Sequence, residues 1–264
     1  MIKKKLGRPK KNSIITRNYG WRPSLPDVRD WTFESLGKNP TLPISVDLRK
    51  SDSPVEDQGQ LGSCTANALT AAIQFIEKKD KDVYAPLSRL FVYYNERAIE
   101  GTISSDSGAQ IRDGIKTLNK QGVCPETEWP YTVSKFKTKP TTKCFTDALK
   151  NVIVSYYSIS TLTAMKTCLA SGYPFVFGFT VYTSFESDTV ATTGIVNLPI
   201  KGESVLGGHA VLCVGYDDIT QRFIVRNSWG TSWGQKGYFT IPYTYLTNSK
   251  LASDFWYITK DKTL

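Results

Sequence analysis

Residues 58–73 read Gln58-Gly59-Gln60-Leu61-Gly62-Ser63-Cys64-Thr65-Ala66-Asn67-Ala68-Leu69-Thr70-Ala71-Ala72-Ile73. The first half is glycine-rich and the second half has a helical pattern. Ala68, Leu69, Ala72, Ile73 and Ile76 recur at spacings of three and four, which sets one buried stripe along a helix. The charged run Glu77-Lys78-Lys79-Asp80 ends that stripe. Cys64 therefore stands where the helix begins. There the positive end of the helix dipole favours the thiolate, the nucleophilic form of cysteine. Unpaired backbone N–H groups at the same point can hold a developing oxyanion. Gln58, six residues upstream, adds a side-chain amide donor. Cysteines that merely pack in a core are common, so this position needs partners before it implies chemistry.

The chain of 264 residues has a single histidine, His209. That excludes sites built from several imidazoles, such as a three-histidine zinc centre. No metal or organic cofactor is called for. His209 follows Gly207-Gly208 and opens the apolar run to Tyr216, and Phe223–Asn227 follows after the short loop 217–221. This pattern predicts a hairpin. Asn227, at the end of the second strand, is placed to accept a hydrogen bond from His209 and so to fix the ring's tautomer. Trp229 and Trp233 are placed to shield that bond, although they equally suit a core.

Further helices are predicted over residues 87–99, after Pro86 and with Ser88 near the start, and over residues 109–120, stopped by Gly122. A short helix is predicted over residues 162–170, capped by Ser160 or Thr161. Strands are predicted at residues 175–182 and 238–241. Helices first and strands later make an α+β protein of two lobes.

Taken in order, Gln58-Gly59, Gly62-Ser63-Cys64, Gly208-His209-Ala210, Asn227-Ser228-Trp229-Gly230, Trp233-Gly234 and Gly237-Tyr238 resemble the motifs of the papain-like, or cathepsin-like, cysteine peptidases. His209 lies 145 residues beyond Cys64, within the family's separation of about 130–150; Asn227, at 163, is slightly farther. The resemblance runs from about Leu42 to near the C-terminus and is closest to bacterial and virus-encoded members. It implies a helical lobe at about 55–155 and an antiparallel, barrel-like β lobe at about 156–250. The cleft would lie between the lobes, and the termini would cross between them. It also implies that Cys64 is the nucleophile, that His209 is the base and acid, and that Asn227 orients His209. Gln58 and the Cys64 N–H would form the oxyanion hole. Gly108, Gly208 and Trp229 would line the substrate path, and Ser253 or Asp254 would floor the pocket for the second residue before the scissile bond. An acid there would admit basic side chains.

Several features depart from the family pattern. Leu61 replaces a usual cysteine, Thr65 a usual aromatic, and no cysteine stands near Gly108. Cys124 and Cys144 are spaced for a different bridge, while Cys168 and Cys213 read as core. Family carboxypeptidases add histidines, which this chain lacks, so an endopeptidase is expected.

Residues 13–41 carry Trp21, Trp31 and several prolines. They predict an extended arm over the surface, a short prosegment limiting access to a body that spans 42–264. The net charge is +9, and six of those charges lie in residues 1–12. That basic tail reads as solvated, with weak nucleic-acid contact as its sharper alternative. No apolar run is long enough for a membrane span, and no signal-peptide pattern appears. The expectation is a monomer acting on proteins or peptides, intracellular or packaged in a virus particle. The same residues would also serve an acyl-transferring ligase, or a catalytically silent protein that binds nucleic acid through its tail.

Overall fold

The computed structural model describes residues 17–37, 40–81 and 84–260. The basic tail, residues 1–12, lies outside them. Three helices lead: α1 (Cys64–Lys81), α2 (Arg89–Ile99) and α3 (Ile111–Lys120). Ser88 caps α2 by accepting a hydrogen bond from the Phe91 N–H, a bond that satisfies an otherwise orphaned donor of the first turn. Four shorter helices follow: α4 (Thr142–Ala148), α5 (Leu162–Ala170), α6 (Asp188–Thr193) and α7 (Tyr243–Leu246).

The strands are β1 (Ser45–Asp47), β2 (Ser155–Ser158), β3 (Phe175–Tyr182), β4 (Val205–Asp217), β5 (Arg222–Arg226), β6 (Tyr238–Pro242) and β7 (Ala252–Thr259). They form one antiparallel sheet in the order β2-β7-β3-β4-β5-β6, with β1 also on β4. The barrel-like lobe expected from the sequence is thus an open sheet: among the described residues its edge strands, β2 and β6, do not pair with each other.

Alternation along β3 and β4 explains two cores. Val176, Ala210, Leu212 and Val214 face α1 to α3 and join the helical core. Phe175, Phe177, Phe179, Val211 and Cys213 turn the other way, into an aromatic core with Phe223, Trp229 and Phe239. Both faces are covered, which is why these strands read as continuous apolar runs rather than alternating ones.

One buried ion pair ties the sheet to the segment leading to α1. Arg226, on β5, donates to Asp52 at 3.0 Å, with side chains 4% and 0% exposed. Asp52 also accepts from the Tyr238 hydroxyl at 2.8 Å. Arg226→Met leaves Asp52 buried and uncompensated, so unfolding should become easier by about 3–5 kcal/mol. A urea titration of the variant against the parent chain checks this.

Candidate active site

The first turn of α1 abuts β4, which carries Cys64 to the junction of helices and sheet. His209 sits on β4 and Asn227 follows β5. His209 Nε2 is 2.8 Å from Asn227 Oδ1, and the Ser228 N–H donates to the same oxygen at 2.9 Å. An amide oxygen accepts only, so Nε2 carries the proton and Nδ1 is left as the basic atom. Nδ1 is buried and has no hydrogen-bond partner among the described residues. Trp229 covers the pair, its ring 5.2 Å from that of His209 between centroids. Gln58 is buried. Its Nε2 donates to Leu61 O at 2.9 Å, and its Oε1 accepts from the Ser228 hydroxyl at 2.6 Å. One amide hydrogen therefore remains uncommitted.

Residues 17–24 fill the space between these elements. The Trp21 N–H donates to Gly208 O at 2.9 Å, the Ala109 N–H to Gly20 O at 2.7 Å, and the Arg22 N–H to Ala109 O at 3.1 Å. The arm is thus hydrogen-bonded to both walls at once. Gly20 lies against Gly62 so closely that any side chain there would strike the Gly62 carbonyl. Gly20 stands beside Cys64, and its N–H is among the groups that favour the thiolate. The Trp21 indole lies across Gly178, where a side chain would collide with it. Trp21 Nε1 donates to Asp254 Oδ2 at 3.1 Å, and the Ser24 N–H donates to the same oxygen at 2.7 Å. Asp254 holds a left-handed backbone, φ 57°, uncommon for a residue with a side chain. Tyr19 stands edge-on to His209. The Arg17 guanidinium lies 4.3 Å from the centre of the Trp229 ring.

Burial under this arm keeps the candidate pair neutral. Desolvation pushes the Cys64 thiol up to about 11, and the charge of Glu96 adds to it. The N–H groups of Ala210, Gly20 and Thr65 work the other way. Desolvation lowers His209 to about 4, with a further push from Arg17 and opposition from its bond to Asn227. At neutral pH neither group is charged in this closed arrangement.

Asn227 and Trp229 meet His209, Gln58 joins them through Ser228, Cys64 stands beside Ala210, the residue after His209, and Asp254 lies under Trp21. Gly108 differs from its expected role. Its N–H goes to the Tyr93 hydroxyl and its carbonyl to the Ser107 hydroxyl, so pairing with a peptide falls to Ala109. Gly108 adopts φ 67° and leaves room for the Gly20 carbonyl. Asp106 carries no signal in the sequence; it accepts from the Gly62 N–H at 3.0 Å and from the Tyr93 hydroxyl. Cys124 and Cys144 are free buried thiols, and their sulfurs and the Glu128 carboxylate lie within 4.8 Å of one another.

The model of the papain family cysteine proteases matches residues 42–259. A peptidase C1-like protein of Acanthamoeba polyphaga mimivirus is 44% identical over 93% of this chain and 88% of its own length. Xylellain, a cysteine protease from Xylella fastidiosa, is 43% identical with a TM-score of 0.85, covering 96% of this chain and 100% of that one. The bromelain protease from Ananas comosus, 23% identical with a TM-score of 0.66, covers 83% of this chain and 100% of its own, and shares the fold.

Proposed function

Because this chain belongs to the papain family of cysteine proteases, we propose that it hydrolyses internal peptide bonds through Cys64, His209 and Asn227, and that residues 17–24 hold the cleft shut beforehand. The observation that carries the mechanism is the 2.8 Å bond from His209 Nε2 to Asn227, which leaves Nδ1 for the thiol. With the arm gone, water and substrate dipoles reach the pair, and the proton moves from sulfur to Nδ1. The Cys64 thiolate adds to the scissile carbonyl carbon, and the oxyanion is received by the free Gln58 amide hydrogen and the Cys64 N–H. The imidazolium gives its proton to the departing amine as the C–N bond breaks, leaving a thioester. His209 then takes a proton from water, the hydroxide displaces sulfur, and the carboxylic acid leaves.

The arm resists the same attack. Gly20 lies beside the thiol, and its carbonyl accepts from the Ala109 N–H at 2.7 Å. That carbonyl is committed to the helical wall. This supports reading the arm as an inhibitory prosegment.

The test is to quench a reaction with an activated ester in acid and to read the peptide containing Cys64 by mass spectrometry. An acyl adduct there, turning over to free acid, is expected. Turnover of the ester without any adduct on Cys64 would overturn the mechanism. Asn227→Ala removes one buried hydrogen bond worth about 1–3 kcal/mol, so kcat should fall by roughly ten- to a hundredfold, as steady-state peptide cleavage would show.

A further inference from the structure

Side chains as well as backbone hold residues 17–22, and each side-chain hydrogen bond described for them ends on a carboxylate. Arg17 pairs with Asp57 at 3.4 Å, and Asn18 Nδ2 donates to Asp106 at 3.0 Å. The Tyr19 hydroxyl donates to Glu186, Trp21 Nε1 to Asp254, and the Arg22 guanidinium to Glu100. The five acids come from separate parts of the chain: the loop before α1, the end of α2, the loop before α3, the turn after β3, and β7. They border the cleft at both ends. Three body cations stand close by. Arg97, whose charge reaches Asp106, spends its hydrogens on the carbonyls of Tyr93, Ile103 and Ser105. Arg89 reaches the Asp57 carbonyl but is matched by Glu56 and Glu126. Arg112 is held by Asp30, which lies beyond residues 17–24 and next to Trp31, whose carbonyl accepts from the Ser158 N–H at 2.8 Å.

We propose that the opened cleft selects cationic polypeptides, with Lys or Arg flanking the scissile bond in the places now held by Arg17 and Arg22. This rests on the cleft being the peptidase site described above. The acids do more than cluster, because a peptide, residues 17–22, is already seated on them. Its two guanidinium groups take Asp57 and Glu100, five residues apart along the arm. Glu100 is only 7% exposed with the arm in place, so a cation reaching it is partly shielded from water and the attraction is less screened. When the arm leaves, its two positive charges leave too, and all five carboxylates face a concave site whose walls focus their field.

The test uses the full chain carrying Trp21→Ala, which loosens the arm. Peptide pairs differ only by arginine against citrulline, its neutral near-isostere, at one position at a time on either side of the scissile bond. The readout is the ratio of kcat/KM within each pair. The fraction of open molecules cancels in that ratio, so effects on the arm do not enter it. Arginine should be preferred roughly two- to fivefold for each carboxylate engaged, and less at high salt. Asp57→Asn and Glu186→Gln should each lower the preference at one end, and Glu100→Gln at the other. Ratios near one at every position, or ratios unmoved by all three variants, would overturn the charge selection alone. Cleavage of neither peptide would overturn it together with the peptidase reading.

Discussion

Cys64→Ala should abolish peptide cleavage, with kcat falling by about four orders of magnitude or more. Removing the attacking atom forfeits the whole covalent route and leaves only what binding and oxyanion donors provide; in a well-studied serine protease the nucleophile alone accounts for about a millionfold. Folding should survive. Cys64 is fully buried, and alanine removes one sulfur atom from a helix start without adding bulk. The variant should therefore melt close to the parent while losing both cleavage and labelling by an epoxide thiol-protease inhibitor. Cleavage retained in the variant would assign the nucleophile elsewhere.

Trp21→Ala should do the opposite and release activity in the full chain. The indole is 6% exposed and packs in the groove over Gly178. Truncating so large a buried aromatic costs about 3–5 kcal/mol, a hundredfold or more in the balance between closed and open. The loss falls on the arm's grip, because the body keeps its own two cores. Cys64 gives a second readout. Held near 11 by burial, it presents very little thiolate at pH 7, so iodoacetamide should label the parent chain slowly. In Trp21→Ala, solvent reaches the sulfur, the pKa falls and labelling accelerates. A chain beginning near Leu42 should match the variant. Equal labelling and equal cleavage in all three would remove the arm from any inhibitory role.

The catalytic candidates were legible because each sits at an element boundary with a local signature. Cys64 opens a helix with an apolar stripe, His209 follows two glycines on an apolar run, and Asn227 closes the neighbouring strand. β7 was less legible because Ser253 and Asp254 interrupt its start and its pairing to β3 is bulged, while its end faces both cores in turn, Trp256 and Ile258 on one side and Tyr257 on the other. β4 begins earlier than expected, at Val205; its start pairs with the end of β3 across a register shift between Val181 and Tyr182, at Gly207, whose φ of 154° suits glycine. The acids that meet the arm were invisible as a group. Asp57, Glu100, Asp106, Glu186 and Asp254 are scattered along the chain, and only the folded cleft makes them neighbours. Gly108 was singled out for pairing that falls to Ala109, since the sequence does not reveal that Tyr93 has claimed the Gly108 N–H.

The segment in the cleft is joined to the body it covers. Beyond Ser24 it continues to Thr32, which bridges to Ser158, and Phe33 is buried beside Tyr257. A tethered occupant acts at an effective concentration in the millimolar range, so closure does not weaken when the protein is diluted. One cut between the clamp and its anchor changes the kinetics altogether. The freed piece becomes an ordinary solute that dilution carries away, and opening turns from a reversible equilibrium into a one-way event.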